Sequence, residues 1–354
     1  MLAAVTQSPG VLTLDELPDP GPPGPQEVLI RPEVVGICGS DLHVYRGELG
    51  ALSGARSFFP RVQGHEFSAI IEAAGQDCPA GLRPGERVAV WPLHACGRCY
   101  PCRVGRPNVC VSLELTGIHR DGGLQERLCV SASQVFRAGD LSAEAAAFIE
   151  PMSVAVHARQ RAELRAGQRV AVLGAGPIGL AMVLAVRAAG ARVLAVDPLP
   201  GRRCLATRLG AEQVAWGSPA EVTGVIRGWA RGEGPPRIID TTGDPAALAQ
   251  AADAVCAAGR VVVVGMSSAT APLRPGLFPE KEIDVVGSSC ATAADFAAAA
   301  RLVHAHQALL AALLTHRFPL AQAQAAIECV VTAADAIKVL VTIDGQADQE
   351  ERHE

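Results

Sequence analysis

Three groups of residues in this chain combine types and spacings that could do chemistry. The densest is Cys96-Gly97-Arg98-Cys99-Tyr100-Pro101-Cys102, with Cys110 shortly after it. Four thiolates from one loop fill a tetrahedral zinc and leave no position open, so the run predicts a structural site that holds a fold and does not polarise a substrate. A nucleic-acid ribbon would use two separated knuckles and a basic face, and this loop has neither. Spacing alone leaves an iron–sulfur cluster open. Four unligated surface thiols would be an oxidation liability.

The second group is scattered. Gly36-Ile37-Cys38-Gly39-Ser40-Asp41-Leu42-His43 ends an apolar run, Gly64-His65-Glu66 opens another, and Phe148-Ile149-Glu150-Pro151 lies further on. Cys, His and Glu together offer three ligands for a catalytic zinc, with the fourth position left for water or an alcohol. One thiolate and one carboxylate cancel the charge of the cation. Taken singly these residues are ordinary, since a lone Cys in an apolar strand is usually core and a lone His or Glu by a turn is usually solvated. The third group is Gly174-Ala175-Gly176-Pro177-Ile178-Gly179, a G-x-G-x-x-G between a strand and a helix. Its first glycine makes the turn, its second admits a pyrophosphate, and its third allows close helix–strand packing. Asp197 ends the next strand, where an acid takes the ribose hydroxyls and repels a 2′-phosphate, which favours NAD over NADP. Arg202, close by, could pair with a phosphate or stack on adenine.

The elements around these groups change texture along the chain. Up to about residue 150 the sequence is rich in glycine, proline and short β-like runs (28–35, 67–73, 87–90) and reads as an all-β unit. From Ala143 to about Val286, apolar strands (169–174, 192–197, 237–240, 260–265) alternate with alanine-rich helices (177–189, 245–257). That pattern predicts a parallel sheet covered on both faces. The tail is read as a long helix, a THRFPL strand-like segment, and a second helix ending near Lys338. The length, 354 residues, allows about two domains of roughly 150 residues.

Composition narrows the function. A net charge of −5 argues against nucleic acid or an anionic membrane as the main partner. Lys281 and Lys338 are the only lysines. No G-x-x-x-x-G-K-[ST] string exists, so a Walker loop is excluded. A Schiff-base mechanism would need one of those two lysines, and neither stands near other candidate chemistry in the sequence. Eleven cysteines, an odd count in a large chain, fit metal binding better than a disulfide scaffold. The N-terminus has no signal-peptide pattern, and the longest apolar stretch, 296–314, is interrupted by Arg301, His304 and His306. A soluble, cytoplasmic protein is expected. His94, His157, His304, His306 and His316 are read as structural or exposed, and Cys78, Cys129, Cys204, Cys256 and Cys329 as core or surface.

The ordered strings VGICGSDLH, GHE, CGRCYPCRVGRPNVC, IEPMSVAVHA, VLGAGPIGL, EKEIDVVG and THRFPL together resemble the medium-chain, zinc-dependent alcohol and polyol dehydrogenases, in their sorbitol-dehydrogenase-like branch. The resemblance spans essentially the whole chain. It implies an α/β fold in which a Rossmann doubly wound sheet (153–287) is inserted into a GroES-like, β-rich catalytic domain (1–152, returning at 288–354), with a structural zinc lobe over 94–110. It implies two zinc ions, one held by Cys38, His65 and Glu150 and one by Cys96, Cys99, Cys102 and Cys110. In related alcohol dehydrogenases a cysteine replaces the Glu-Pro acid, so Glu150 points to the polyol and sugar branch. Glu66 matches an acid beside the metal, and Ser40 with His43 match a proton relay. Gly265, Met266 and Ser289 join the cofactor-binding residues, and Cys290 is expected to border nicotinamide.

One departure bears on substrate. The branch carries an Arg-Tyr pair after EKEID, where this chain reads Gly287-Ser288-Ser289-Cys290-Ala291, so sorbitol itself is a poor fit. His119, Arg120 and Asp121 either face the substrate cleft, which would suit a sugar acid, or form a solvated turn. The expected activity is NAD-dependent oxidation of a secondary alcohol in a polyol, sugar or sugar acid, by a homodimer or homotetramer. The alternatives are a threonine-dehydrogenase-like oxidation of a β-hydroxy amino acid or amino alcohol, and a non-catalytic, zinc-stabilised NAD-binding protein.

Overall fold

The strand Glu27–Gly36 is the axis of the first half of the molecule in the computed structural model, which describes residues 1–48 and 59–343. Its side chains alternate between buried and half-buried positions and become continuously buried at Val34, Val35 and Gly36, as period-two patterning toward one core requires. It pairs antiparallel with Glu66–Ala74, Leu128–Ser131 and Lys338–Thr342. Pro32 cannot donate to a ladder, and it sits at a register shift in the pairing with Glu66–Ala74. Lys338–Thr342 in turn lies parallel to Leu314–Pro319. One sheet therefore takes strands from both ends of the chain, so the segment between them must fold as something else.

That segment is a second unit. Clustering of the chain separates Met1–Glu150, with residues from Ala299 onward, from Pro151–Ala298. The second unit holds six parallel strands in the spatial order Gln213–Ala215, Arg192–Val196, Arg169–Leu173, Arg237–Asp240, Arg260–Val263 and Asp284–Gly287. Val170, Ala171 and Val172 in its middle strand are fully buried, as both-face coverage demands. In chain order the strands run 3-2-1-4-5-6, and the direction of winding reverses beside Arg169–Leu173. The carboxyl ends of the strands at that reversal form the crevice where such sheets take ligands.

Two boundaries differ from the sequence reading. The second unit continues past Gly287 to Ala298, because the chain after the last strand is bonded back into it: Asp295 pairs with His157 at 2.8 Å. The tail helix Ala323–Thr332 stops before Lys338, which opens the buried strand Lys338–Thr342. Ala293–Leu313 is the one stretch among the described residues with the length and mean hydropathy (1.2) to cross a membrane by composition. Phe296, Ala299, Val303, Leu310 and Leu313 along it form one buried stripe, which is the pattern of an amphipathic helix that turns a single face to the protein.

Close approach in the Gly-rich turn makes a test. A Cβ at Gly179 would collide with the Gly174 carbonyl oxygen, whereas one at Gly176 meets nothing nearer than the Arg202 Nη1 at 3.8 Å. Gly179→Ala should lower stability by about 1–3 kcal/mol, read as a reduced urea midpoint, while Gly176→Ala leaves the midpoint nearly unchanged.

Candidate active site

Three strand ends meet at one buried point. Cys38 follows Glu27–Gly36 and precedes the helix Gly39–Tyr45, His65 stands just before Glu66–Ala74, and Lys338 starts the last strand. The ligand atoms of Cys38, His65 and Glu66 all lie within 4.8 Å of one another. Glu66 is 1 % exposed and Lys338 2 %. The Lys338 Nζ donates to Glu66 Oε2 at 2.6 Å and to the Ile37 carbonyl at 3.1 Å. Gly36 faces Glu66 across the ladder, and a Cβ there would collide with the Glu66 carboxylate. Lys338, which the sequence places away from any candidate chemistry, is thus the counter-ion of a carboxylate beside the candidate ligands.

Asp41 is a second residue that carries no role in the sequence reading. It is fully buried, accepts the Cys38 backbone N–H at 2.9 Å, and holds Oδ1 at 3.5 Å from His65 Nδ1. A carboxylate behind one imidazole nitrogen orients the ring and presents the other nitrogen, Nε2, to a metal. Ser40 Oγ lies 3.3 Å from that Nε2. Burial works against a charged His65, but Asp41 and Cys38 outweigh it and hold its pKa well above the ordinary value. Glu150 is buried too. Burial pushes its carboxyl up to about 7, with Glu66 and Asp41 adding to the effect and His65 and Lys338 opposing it.

This donor set fits zinc. Sulfur, imidazole nitrogen and carboxylate oxygen converge, and Glu66 Oε1 is buried with no hydrogen-bond partner among the described residues. Three buried carboxyl groups, Asp41, Glu66 and Glu150, face His65 and Lys338, and a dication there would favour their ionised forms. The structure groups Glu66 with Cys38 and His65, and brings Glu150 into the same electrostatic neighbourhood. His43, on the helix with Ser40, is half-exposed and pairs through Nδ1 with Glu48 Oε2 at 2.7 Å.

The four-cysteine lobe gathers as the spacing requires. The sulfurs of Cys96, Cys99, Cys102 and Cys110 lie within 4.8 Å of one another. Backbone N–H groups of Cys96 and Ser112 each reach Cys110 Sγ at 3.3 Å. Backbone donors from Cys102 and Val111 pull the Cys99 thiol down to about 6, whereas burial and the neighbouring thiols push Cys102 up to about 12. A shared dication would hold all four as thiolates.

In the second unit, Asp197 is 3 % exposed and fixed from both sides. Its Oδ2 accepts the Ala175 N–H and its Oδ1 the Leu199 N–H, each at 2.8 Å, with the Arg202 Nη1 4.0 Å away. Gly174, Gly176, Asp197, Arg202, Trp216 and Thr242 line a cleft of about 640 Å³. Pro177 and Ile178 form the first turn of the helix Pro177–Ala188, whose N-terminus opens at Gly176. The uncrowded space over Gly176 is the cradle that a pyrophosphate needs. Gly265, Met266 and Ser289 follow the strands Arg260–Val263 and Asp284–Gly287, further along the carboxyl ends of the same sheet.

The charged loop is committed elsewhere. Asp121 accepts from Arg61 Nη1 (2.8 Å) and the Val62 N–H (3.1 Å), Arg120 pairs with Glu114 (2.8 Å), and His119 Nδ1 accepts the Leu115 N–H (3.1 Å). The same loop donates the Gly123 N–H to the Gly64 carbonyl at 2.8 Å, next to His65. Its charges frame the turn that carries a candidate ligand. His157 is buried in its pair with Asp295, a packing role. Cys290 adopts φ +48° beside Ser289.

Comparison with known proteins fits this geometry. Residues 24–140 match the alcohol dehydrogenase GroES-like domain, and residues 177–305 match the zinc-binding dehydrogenase domain. The chain belongs to the medium-chain, zinc-dependent alcohol and polyol dehydrogenases and is an oxidoreductase. It is 36 % identical over 300 residues to the L-galactonate-5-dehydrogenase of Escherichia coli K12, covering 84 % of this chain and 86 % of that one. It superposes on the alcohol dehydrogenase rspB of E. coli CFT073, solved with NADH, with a TM-score of 0.87, 31 % identity and coverage of 97 % and 99 %. A zinc-binding dehydrogenase of Sinorhizobium meliloti 1021, solved with NADP, gives 0.88, 31 %, 97 % and 99 %. The expected fold, a Rossmann unit within a GroES-like one, is the observed one.

Lys338→Met would strand Glu66 as a buried, unpaired charge and should cost about 3–5 kcal/mol of stability. Adding Glu66→Gln should restore most of the loss, and denaturant unfolding of the two variants measures both effects.

Proposed function

We propose that this enzyme oxidises a secondary alcohol of a polyol, sugar or sugar acid with NAD, using one catalytic and one structural zinc per chain. The observation that carries the reading is the convergence of Cys38, His65 and Glu66, with Lys338 neutralising Glu66 and the buried Glu150 within their electrostatic reach. Cys38, His65 and Glu150 are the catalytic ligands, and Lys338 holds Glu66 back by its Oε2. Cys96, Cys99, Cys102 and Cys110 hold the structural ion. When bound, zinc supplies Lewis acidity toward an alcohol hydroxyl, and NAD supplies the ring that accepts hydride.

The chain's own residues do the rest. Asp41 fixes the His65 ring, so that Nε2 and the Cys38 sulfur point to one place. Ser40, at that Nε2, is placed to take the hydroxyl proton, and His43 with Glu48 lies further along the same helix toward water. Asp197 receives the ribose hydroxyls and repels a 2′-phosphate. The resemblance to L-galactonate-5-dehydrogenase favours a hexonate, whereas the internally paired 119–121 loop gives a substrate carboxylate no free cation there. A cytoplasmic homodimer or homotetramer accompanies this reading.

Metal analysis should find about two zinc per chain. Cys38→Ala should retain one zinc and NADH binding while turnover on a panel of polyols, sugar acids and amino alcohols is lost; activity in that variant would refute the ligand set. Asp197→Ala should shrink the preference for NAD over NADP by about tenfold or more, read from the ratio of kcat/KM values.

A further inference from the structure

The cleft beside Asp197 contains one residue to which the dinucleotide reading gives no task. Trp216 is one of three tryptophans in the chain, is 60 % exposed, and lines the same cleft as Gly176, Asp197 and Arg202. A ring of that size facing water in a crevice wall is the kind of surface that ligands cover.

Its position follows from the strand ladder. Arg192–Val196 and Gln213–Ala215 run parallel with Val196 opposite Ala215, and the Asp197 N–H donates to the Ala215 carbonyl at 3.2 Å. Asp197 and Trp216 are therefore the next residues off two neighbouring strands, whose backbones lie about 4.8 Å apart. Both stand at the carboxyl ends, where the crevice opens. For an adenosine whose ribose met the Asp197 carboxylate, the adjacent strand end and its indole would lie within reach of the base. Nearby polar groups are already engaged: the Gln250 amide donates to the Pro219 carbonyl at 2.7 Å, and Asp244 Oδ1 accepts the Ala246 N–H at 2.9 Å. The wall thus offers the base a face more than an edge.

We propose that Trp216 is the platform on which this enzyme stacks the adenine of its dinucleotide. The proposal rests on the crevice being a dinucleotide site, but not on the choice between NAD and NADP, because both carry the same adenine. Stacking reads the π-face that every purine has, so loss of the indole weakens the adenosine end and leaves the nicotinamide end alone.

Calorimetric titration of the full chain with NADH, NADPH, ADP and reduced nicotinamide mononucleotide tests this. Trp216→Ala should weaken ADP and the preferred dinucleotide by roughly tenfold to a hundredfold. It should leave the mononucleotide within about twofold, and Trp216→Phe should recover most of the loss. Unchanged ADP affinity in Trp216→Ala overturns the proposal, as does an equal loss for the mononucleotide. If the unsubstituted chain binds neither dinucleotide nor ADP, the dinucleotide reading itself falls and takes the platform with it. That failure shows before any substitution is made and is thereby distinct.

Discussion

The ion pair between Lys338 and Glu66 sits where three strands end, and much of the surrounding structure follows from burying it. A lone carboxylate or ammonium in that place would cost several kcal/mol, so the pair persists only because its members meet at 2.6 Å and the Ile37 carbonyl takes a further proton of the ammonium. Room for the Glu66 carboxylate exists because residue 36 has no side chain. Register does the rest, since Gly36 faces Glu66 on one ladder and Leu340 on the other. A slip of one residue in either ladder would turn the acid or its partner out of the core.

Around that pair the charges sort carboxylates of the same chemistry into different tasks. Asp41 faces an imidazole and fixes its orientation. Glu66 faces an ammonium and is held by it. Glu150 faces both cations from a distance, and burial pushes its carboxyl up to about 7. Residue type does not distinguish Glu66 from Glu150; their partners do. In the second unit Asp197 is treated differently again, with two backbone N–H groups holding it beside the glycine turn.

What was legible in the sequence was mostly local. The G-x-G-x-x-G, the acid at the end of the next strand and the four-cysteine lobe each lie within a few tens of residues, and each folds as its spacing implies. Lys338 was not legible, because its partner lies 272 residues away and the run Val339-Leu340-Val341 is too short to separate strand from helix. Asp41 was concealed differently: it reads as an acid in the first turn of a helix, and only the fold shows that His65 stands behind it. The 119–121 loop stayed ambiguous because a cluster of charges in sequence says nothing of whether those charges are already paired. The short strand Gln213–Ala215, which positions Trp216, was missed for lack of length.

The strand Lys338–Thr342 lies inside the first unit's sheet, between Glu27–Gly36 and Leu314–Pro319. During synthesis the 34–36 edge of Glu27–Gly36 therefore waits unpaired until residues 338–342 emerge, and closing that ladder spans a very long loop. The Pro151–Ala298 unit, whose strands pair with near neighbours in the chain, has no such delay and can form first. Assembly of the metal-binding end is thus coupled to the late appearance of residue 338: a nascent chain can acquire its nucleotide-binding unit well before it can place the lysine beside Glu66.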